Sequence, residues 1–311
     1  MRKIVIISGP TAVGKTNISI KLAKAINGEI ISADSVQVYK GMDIGSAKIT
    51  EQEMQGVKHY LIDCLGPDEN FDVSVFQKMA MAAVDEICNN GKIPIVVGGT
   101  AFYIQALLYG IDFDEEDHDD SYRNLLNDMD VDTLYEKLTT IDPGYALTVH
   151  KNNKKRVVRA LEYNHFTGKL FSEYNSEQSV KAPVFDFFYF VLDDERLKLY
   201  NNIEIRVDRM IKDGLVEEVK ALLDFGFSRD LVSMQGIGYK EICSYLCGEI
   251  SLEEAVLDIK KNTRHFAKRQ LTWLRHEENV IFVKKPDFGY DDDKIVKFML
   301  DTIGELDETD V

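Results

Sequence analysis

Cysteine is scarce in this chain, and no apolar run approaches the length that crosses a membrane. The four cysteines, Cys64, Cys88, Cys243 and Cys247, are scattered among apolar neighbours, and only the last two lie close enough to share a helical face. This usage favours small core residues in a reducing compartment over disulfides or a zinc site. A spanning helix needs about 20 apolar residues, so no membrane partner is predicted. Internal repeats are also lacking.

Positive charge is in deficit, because 37 lysines and arginines face 53 aspartates and glutamates, for a net charge of −16. Two stretches account for most of this imbalance. Residues 112–120 hold seven acids without a lysine or arginine, and residues 287–311 hold nine acids with only two lysines. The rest of the chain is nearly neutral, so basic surfaces and a nucleic-acid partner are not excluded.

Residues 1–3 lead straight into an apolar segment, without the length or cleavage site of a signal peptide. We therefore expect a cytoplasmic protein. The 311 residues, 45% of them hydrophobic, can bury a substantial core, as one large domain with an insertion or as two modest domains.

An apolar run at residues 4–8 opens into a glycine-containing loop and continues as a helix. Strand, Gly-x4-Gly-Lys-Thr loop and helix together form the Walker A arrangement, or P-loop. Loop amides and the helix N-terminus point at phosphate oxygens, Lys15 neutralises the outer phosphate, and the Thr16 hydroxyl can hold Mg²⁺. The loop alone does not say which phosphate compound it binds, or whether phosphate is transferred.

Two further strand ends carry polar side chains. A predicted strand at residues 29–33 leads into Asp34, and a predicted buried strand at residues 93–97 runs through two glycines into Thr100. Ligands of open α/β sheets gather at the carboxyl ends of the strands, so both residues are expected to face the ligand of the P-loop. A solvated turn is the alternative interpretation of each residue taken alone.

These elements predict an α/β fold, with a P-loop NTPase-like core around a central parallel sheet and a helical insertion domain. The predicted core comprises residues 1–111 and 185–286, because a strand-like segment at residues 185–192 returns the chain to the sheet. Residues 112–184 form the predicted insertion, and residues 287–311 an acidic C-terminal tail.

Two predicted helices are rich in basic residues. One begins in the insertion, around Lys154 to Arg159, and the other spans residues 252–276. The basic stripe of the second helix consists of Lys261, Arg264, His265, Lys268 and Arg275. The core-like line beside it consists of Val256, Ile259, Phe266 and Trp273. Charge runs are usually solvated surface, but two in a chain rich in acid favour a phosphate backbone as partner.

The sequence resembles one family closely, the bacterial tRNA dimethylallyltransferases, also called tRNA isopentenyltransferases or IPP transferases. The matching segments run in order from about residue 4 to residue 283, and that order is far more specific than the P-loop alone. They are Gly9–Thr16, Ser32–Ser35, Gln37–Tyr39, Lys40–Gly45, Gly98–Thr100 with Tyr103, Lys155–Glu162, Arg206–Asp208, Gln235–Glu241 and Ala267–Trp273.

The resemblance implies transfer of a dimethylallyl group from dimethylallyl diphosphate to N6 of the adenosine 3′-adjacent to the anticodon, in tRNAs that read codons beginning with U. It implies that Asp34 engages the exocyclic amine of the flipped adenine, with Thr100 beside it, while Lys15 and Arg206 stabilise the diphosphate. The implied partners are the tRNA anticodon stem-loop and dimethylallyl diphosphate, with Mg²⁺ on Thr16 as cofactor, and a monomer is expected.

The resemblance assigns two sets of binding residues. The implied diphosphate site consists of Gly9, Pro10, Thr11, Ala12, Val13, Gly14, Lys15, Thr16 and Arg206. The implied tRNA-binding residues are Asp34, Ser35, Val36, Gln37, Lys155, Arg156, Arg159, Gln235, Gly236, Tyr239, Lys240, Arg264, Lys268 and Arg269.

Some positions depart from the family pattern. Asn202 stands where arginine is usual, Ser46 replaces threonine, and Ile49 and Lys58 replace prolines. Three other functions remain open: a small-molecule P-loop kinase, a nucleotide-dependent binding switch, and a prenyltransferase that acts on free adenine nucleotide.

Overall fold

The structure is a computed structural model that describes residues 2–113 and 120–307. Contacts divide the chain into two compact units, one of Met1–Leu108 with Val184–Val311 and the other of Tyr109–Pro183. The acidic cluster singled out in the sequence lies mostly outside the described residues. In the part of the chain that is described, no helix is both long and apolar enough to span a bilayer.

The first unit is built on a six-stranded sheet in which every pairing is parallel. Its strands are β1 Lys3–Ser8, β2 Gly28–Ala33, β3 His59–Tyr60, β4 Ile93–Gly98, β5 Asp186–Asp193 and β6 Val280–Lys284. The spatial order is β3-β2-β4-β1-β5-β6. The predicted parallel sheet is therefore confirmed, and its order places the carboxyl ends of β2, β4 and β1 side by side.

Two strands differ from the sequence-based expectation. The sequence of residues 59–63 predicts a short strand, whereas β3 ends at Tyr60, because Leu61 and Asp63 adopt positive φ angles of 61° and 52°, which break an extended backbone. Strand β6 had no predicted counterpart. It lies at the sheet edge beside β5, and although four of its five residues are apolar, only Val283 is buried, as is typical of an edge strand rather than a central one.

Nine of the helices described for this unit flank the sheet or follow it. They are α1 Lys15–Ala25, α2 Glu51–Met54, α3 Val73–Asn89, α4 Ala101–Tyr109, α10 Arg196–Lys212, α11 Leu215–Phe225, α12 Tyr239–Leu246, α13 Leu252–Leu274 and α14 Asp292–Asp307. Their start points follow local chemistry. Ser251, for example, accepts from the amide of Glu254 while the Glu254 side chain accepts from the Ser251 amide, a capping box that starts α13.

The second unit is helical, as predicted for the insertion. Its helices are α5 Asp120–Asp128, α6 Val131–Ile141, α7 Pro143–Ala146, α8 Lys154–Thr167 and α9 Phe171–Ser179. It has a core of its own, in which Leu126, Leu134, Leu138, Val157 and Leu161 are almost fully buried. A separate apolar core is the physical basis for its compactness.

The segment expected to be an acidic tail contributes to the first unit. Helix α14 buries Ile295, Met299 and Ile303, and it packs against α1. Asp293 pairs with Lys21 of α1 at 2.6 Å. Asp293 and Asp301 are exposed while these apolar residues are buried, so the helix is amphipathic and the charge of the segment does not exclude a packing face.

Candidate functional site

The P-loop connects β1 to α1 in the expected place. Gly9 has a φ of +145°, and a Cβ there would lie 2.5 Å from the carbonyl oxygen of Leu192. Gly14 has a φ of +97° and forms the N-cap of α1. Only glycine fits both positions without strain, and the two bends aim the loop and the first turn of α1 at one cavity.

Lys15 folds back over this loop. Its ammonium donates to the carbonyl oxygens of Gly9 and Pro10 at 2.8 and 2.9 Å. The pKa of Lys15 is lowered to about 7, mainly by desolvation and also by the nearby positive charge of Arg206, whereas the negative charge of Asp34 opposes the shift. A phosphate anion would restore the charged form, because the negative charge favours the ammonium.

Asp34 and Thr100 meet at the adjacent strand ends, as predicted. The Asp34 Oδ1 accepts from the amides of Val36 and Gln37 at 2.8 and 3.2 Å, which fixes the carboxylate in a tight turn. The amide of Thr100 donates to the carbonyl of Ala33 at 3.4 Å, and this bond joins the two strand ends. One oxygen of Asp34 is thus structural, and the half-buried carboxylate still lines the cavity.

Arg206 reaches the site from α10. Its Nη1 donates to the Thr11 hydroxyl at 3.2 Å, and its Nη2 donates to the Ser46 carbonyl at 3.5 Å. Burial lowers the pKa of Arg206, and the negative charge of Asp34 raises it. Because an arginine remains protonated in proteins, the site holds a fixed cation opposite the P-loop.

Two cavities, each of about 330 Å³, share a wall at this point. The first is lined by Gly14, Lys15 and Thr16, which are predicted to bind the diphosphate. The second contains Thr100 and the loop segment Gln235–Ile237. The residues that line both cavities are Thr11, Asp34, Arg206, Phe266 and Gln270. The predicted catalytic residues therefore stand at or beside the boundary between two binding spaces.

Gln270 was not predicted to belong to the site. Its Oε1 accepts from the Thr11 amide at 2.9 Å, and its Nε2 donates to the Gly99 carbonyl at 3.0 Å. It is 6% exposed and joins the P-loop to the end of β4. The sequence could have indicated Gln270, because it is a polar residue on an otherwise apolar helix face, and a buried side-chain amide needs hydrogen-bond partners.

The core-like line predicted on α13 was partly wrong. Ile259 is buried, but Phe266 lines the two cavities and Trp273 is 38% exposed. The buried line instead consists of Ala255, Ile259, Ala267, Gln270 and Leu274. The large aromatic residues suggested a core, whereas the buried positions of the helix hold two alanines, two aliphatic residues and one glutamine.

Known proteins resemble the chain along most of its length. A model of the IPP transferase family matches residues 37–277. The chain belongs to the IPP transferase family. A curated tRNA dimethylallyltransferase from Lachnoclostridium phytofermentans is 53% identical over 295 residues, which cover 94% of each chain.

Solved structures of IPP transferases agree with the fold and confirm its P-loop NTPase-like core. A full-length tRNA isopentenylpyrophosphate transferase from Bacillus halodurans is 42% identical, with a TM-score of 0.75 over 100% of this chain and 99% of that one. A eukaryotic dimethylallyltransferase, whose structures are described as snapshots of it acting on tRNA, is 32% identical, with a TM-score of 0.81 over 91% of this chain and 74% of that one.

The positions that depart from the usual IPP transferase pattern have clear local roles. Asn202 Nδ2 donates to the Ala12 carbonyl at 3.5 Å, so it contacts the P-loop with a neutral amide where arginine is usual. The Ser46 hydroxyl donates to the Met42 carbonyl at 2.6 Å, and Ile49 lines the first cavity. Lys58 lies away from the cavities and pairs with Glu86 at 2.7 Å.

The residues predicted to contact tRNA are not equally available. Ser35, Gln235 and Lys240 are exposed, as are Lys268 and Arg269, and Val36, Gln37 and Gly236 are half-buried. In the second unit, Lys155 and Arg156 are exposed on the first turn of α8 and Arg159 is half-buried.

Several members of this set have partners inside the protein, and Arg264 and Tyr239 are two of them. Arg264 donates to Glu204 at 2.8 Å. Tyr239 is fully buried, and its hydroxyl donates to Glu218 at 2.8 Å. The Tyr239 side chain therefore does not lie on a surface that RNA could reach, because it packs beneath the loop that carries Gly45.

Proposed function

We propose that this protein transfers the dimethylallyl group of dimethylallyl diphosphate to N6 of the adenosine 3′-adjacent to the anticodon, in tRNAs that read codons beginning with U. The observation that carries the proposal is the pair of cavities that meet at Asp34 and Arg206. A reaction on a phosphate compound alone would need only the first cavity. Transfer from a diphosphate ester to a base needs one cavity for each substrate, with the group that accepts the proton at the boundary between the two cavities.

On the donor side, the P-loop amides, Lys15 and Arg206 hold the diphosphate. The carbon–oxygen bond of the allylic ester breaks, and the electron pair leaves with the diphosphate. Negative charge therefore grows on the leaving group, beside Lys15, which contacts the Gly9 and Pro10 carbonyls, and Arg206, which contacts the Thr11 hydroxyl. Preorganised cations at the site of developing charge lower the barrier without reorganising solvent.

On the acceptor side, N6 of adenine forms the new bond to the allylic carbon and loses a proton. The conjugated N6 is a poor nucleophile, so a carboxylate that accepts this proton assists the attack. Asp34 is the carboxylate that lines both cavities. Its Oδ1 is engaged by two backbone amides, which leaves Oδ2 as the oxygen proposed to accept the proton.

The site offers Mg²⁺ only some of the ligands that it needs. Among the described residues, no group of three or more histidine, cysteine or acidic side chains could hold a metal ion by itself. Thr16 offers a hydroxyl at the exposed start of α1, and it lines the first cavity. Mg²⁺ typically keeps several waters and binds through substrate phosphates, so Thr16 would hold it together with the diphosphate. The ion would supply charge neutralisation of the leaving group.

The RNA must present its adenine unstacked, since N6 cannot reach Asp34 from within a base stack. Extrusion of a base costs a few kcal/mol. Contacts from the exposed cations Lys155, Arg156, Lys240 and Lys268 would offset this cost. We propose that the protein acts in the cytoplasm and as a monomer.

The test supplies labelled dimethylallyl diphosphate or labelled ATP with Mg²⁺, in the presence or absence of unmodified tRNA. Label from the prenyl donor is expected in RNA, at the adenosine 3′ of the anticodon. Label in free nucleotide would favour the prenyltransferase that acts on nucleotides, and label in a phosphorylated small molecule would favour a kinase. Tight nucleotide binding without any product would favour a switch.

The Asp34→Asn variant tests the assignment of the base. Asparagine keeps an oxygen that can accept from the Val36 and Gln37 amides, so the turn is retained while the charge is lost. Transfer is expected to fall about 100-fold or more, with tRNA affinity within a few-fold of the unchanged protein. If the variant instead lost most of its tRNA affinity and little of its turnover of bound tRNA, Asp34 would be a tRNA-binding residue and not the base.

A further inference from the structure

The single tryptophan of the chain is on the surface, beside a second exposed aromatic ring. Trp273 of α13 is 38% exposed, and Phe102 of α4 is 40% exposed. Their ring centroids lie 6.3 Å apart with an interplanar angle of 61°. Neighbouring large aromatic side chains that remain accessible to water mark a surface built for contact with another molecule.

Hydrogen bonds fix the orientation of the indole. Trp273 Nε1 donates to Oε1 of Glu277, and Gln105 Nε2 donates to the same oxygen at 2.9 Å. The second bond connects α4, which carries Phe102, to the segment that follows α13. The indole is therefore held before any ligand arrives, so little of its side-chain entropy would be lost on binding.

The surroundings of this pair are basic. A cavity of about 780 Å³ is lined by Trp273 together with His265, Lys268, Arg269 and His276. Glu277 is the acid among its lining residues, and it is already engaged by Trp273 and Gln105. Aromatic faces with cations around them are the features that bind unpaired nucleotides, by stacking the base and neutralising the phosphate.

This cavity adjoins the reaction site. Arg269 lines both it and the cavity that contains Asp34 and Thr100. An RNA strand that places one base at Asp34 would therefore bring a neighbouring nucleotide to Trp273. An acidic peptide would satisfy the cations but not explain the oriented aromatic pair.

We propose that Trp273 and Phe102 form a stacking platform for an unpaired base of the RNA that flanks the reacting adenosine, with Lys268 and Arg269 on its phosphates. This inference rests on the proposed function, because it needs RNA as the substrate. It adds a binding subsite for a second nucleotide beyond the one that reacts.

Tryptophan fluorescence tests the platform on the unaltered protein, since Trp273 is the only tryptophan. An unmodified anticodon stem-loop RNA is titrated into the protein, and binding is followed separately by anisotropy of an RNA label. Stacking is expected to quench the emission by about half or more and to protect it from acrylamide. Inorganic pyrophosphate alone is expected to leave the emission unchanged.

Abasic substitutions then locate the base. Stem-loops that lack the base at one unpaired position at a time are compared at saturating concentration. Quenching is expected to disappear for one or two positions next to the reacting adenosine and to persist for the others. Unchanged emission at RNA saturation, or quenching that no abasic position removes, would overturn the proposal.

Variants supply an independent readout. Trp273→Phe keeps an aromatic face, and Trp273→Leu keeps apolar volume only. The KM for RNA is expected to rise about 10-fold or more for leucine and less than about three-fold for phenylalanine, with the KM for the prenyl donor unchanged. Phe282→Leu, at an exposed aromatic residue of β6, is the matched control and should have no effect. Equal KM values for Trp273→Leu and the control would contradict the platform.

The two proposals fail differently. If the unaltered protein puts no prenyl label into any RNA, the proposed function is wrong, whatever Trp273 does. If label enters RNA at the same rate with Trp273→Leu and the emission does not respond to RNA, the function stands and the platform is wrong.

Discussion

The backbone amide of Thr11 donates to the side-chain oxygen of Gln270 at 2.9 Å, across 259 positions of sequence. The other end of the Gln270 amide donates to the Gly99 carbonyl at 3.0 Å. A Cβ at position 99 would collide with this side chain, so only glycine fits at position 99 beside Gln270. One buried amide thus sets the spacing between the P-loop and the strand end that carries Thr100.

Gln270→Met tests this spacing. Methionine fills similar space but leaves the Thr11 amide without its acceptor, which costs about 1–3 kcal/mol when the group is buried. We expect kcat to fall about 10- to 100-fold, because small displacements of substrate-positioning groups have effects of this size. Steady-state kinetics with prenyl donor and tRNA measure the change.

The control for this variant is Gln77→Met, which removes a bond of the same kind from the Gln77 amide to the Ala106 carbonyl. Its kcat should stay within about two-fold of the unaltered protein. Similar losses in the two variants would mean that Gln270 matters for stability alone.

Glu218 anchors the loop that contacts Arg206. Its carboxylate accepts from the amides of Asp43, Ile44 and Gly45 at 2.9, 2.7 and 3.1 Å, and from the Tyr239 hydroxyl. Glu218→Gln replaces one acceptor oxygen with a donor, so part of this set is lost. The unfolding free energy should drop by about 1–3 kcal/mol, and the KM for the prenyl donor should rise.

Glu217→Gln provides the comparison, since Glu217 is the exposed neighbour of Glu218 in the first turn of α11. A stability change within about 0.5 kcal/mol is expected there. Equal changes in both variants would show that the helix charge, and not the loop anchor, is responsible.

Binding of diphosphate should depend on pH through Lys15. Its pKa is lowered to about 7 by desolvation and by Arg206, so the protein without ligand loses this proton as the pH rises above 7. An anion favours the charged form, and binding at pH 8 should therefore take up a proton that binding at pH 6 does not. Calorimetry of inorganic pyrophosphate in buffers of different ionisation enthalpy counts these protons.

Pyrophosphate also takes up or releases protons when it binds, and the Lys15→Arg variant distinguishes these protons from the one taken up by Lys15. Arginine remains charged over the same range, so the variant should take up about one proton less at pH 8 and the same number at pH 6. Identical proton counts at both pH values would contradict the lowered pKa of Lys15.

The salt dependence of tRNA binding should identify the cations that meet phosphates. Each such cation contributes about one unit to the slope of log affinity against log salt. Lys268→Ala and Arg156→Ala should each reduce the slope by about that amount. Arg264→Ala should change it less, because Arg264 is paired with Glu204 at 2.8 Å. Unchanged slopes for Lys268 and Arg156 would remove them from the RNA surface.

Helix α14 should contribute to the stability of the first unit despite its acidity. Met299 is fully buried, and Met299→Ala should lower the unfolding free energy by about 2–5 kcal/mol. Urea unfolding followed by Trp273 emission measures it. Lys297→Ala, on the exposed side of the same helix, should cost less than about 0.5 kcal/mol. If both variants were equally mild, α14 would be dispensable to the fold.

Much of the fold and part of the candidate site could be predicted, because their signals are local. Strand, glycine loop and helix follow one another at residues 3–25, so the P-loop could be located from consecutive residues. Asp34 and Thr100 could be placed at one sheet edge because parallel strands end on the same side. Trp273 was misplaced, because an aromatic side chain suits a core or a surface equally well.

The sequence by itself determined the parallel α/β core, the phosphate-binding loop and the strand ends that carry Asp34 and Thr100, since each depends on neighbouring residues and on strand direction. Only the tertiary structure decided that Gln270 joins the P-loop to β4, that Glu218 holds the loop beneath Arg206, and that α14 is part of the core unit. These contacts join residues more than 170 positions apart, and which buried polar group finds which partner depends on packing that no local pattern encodes.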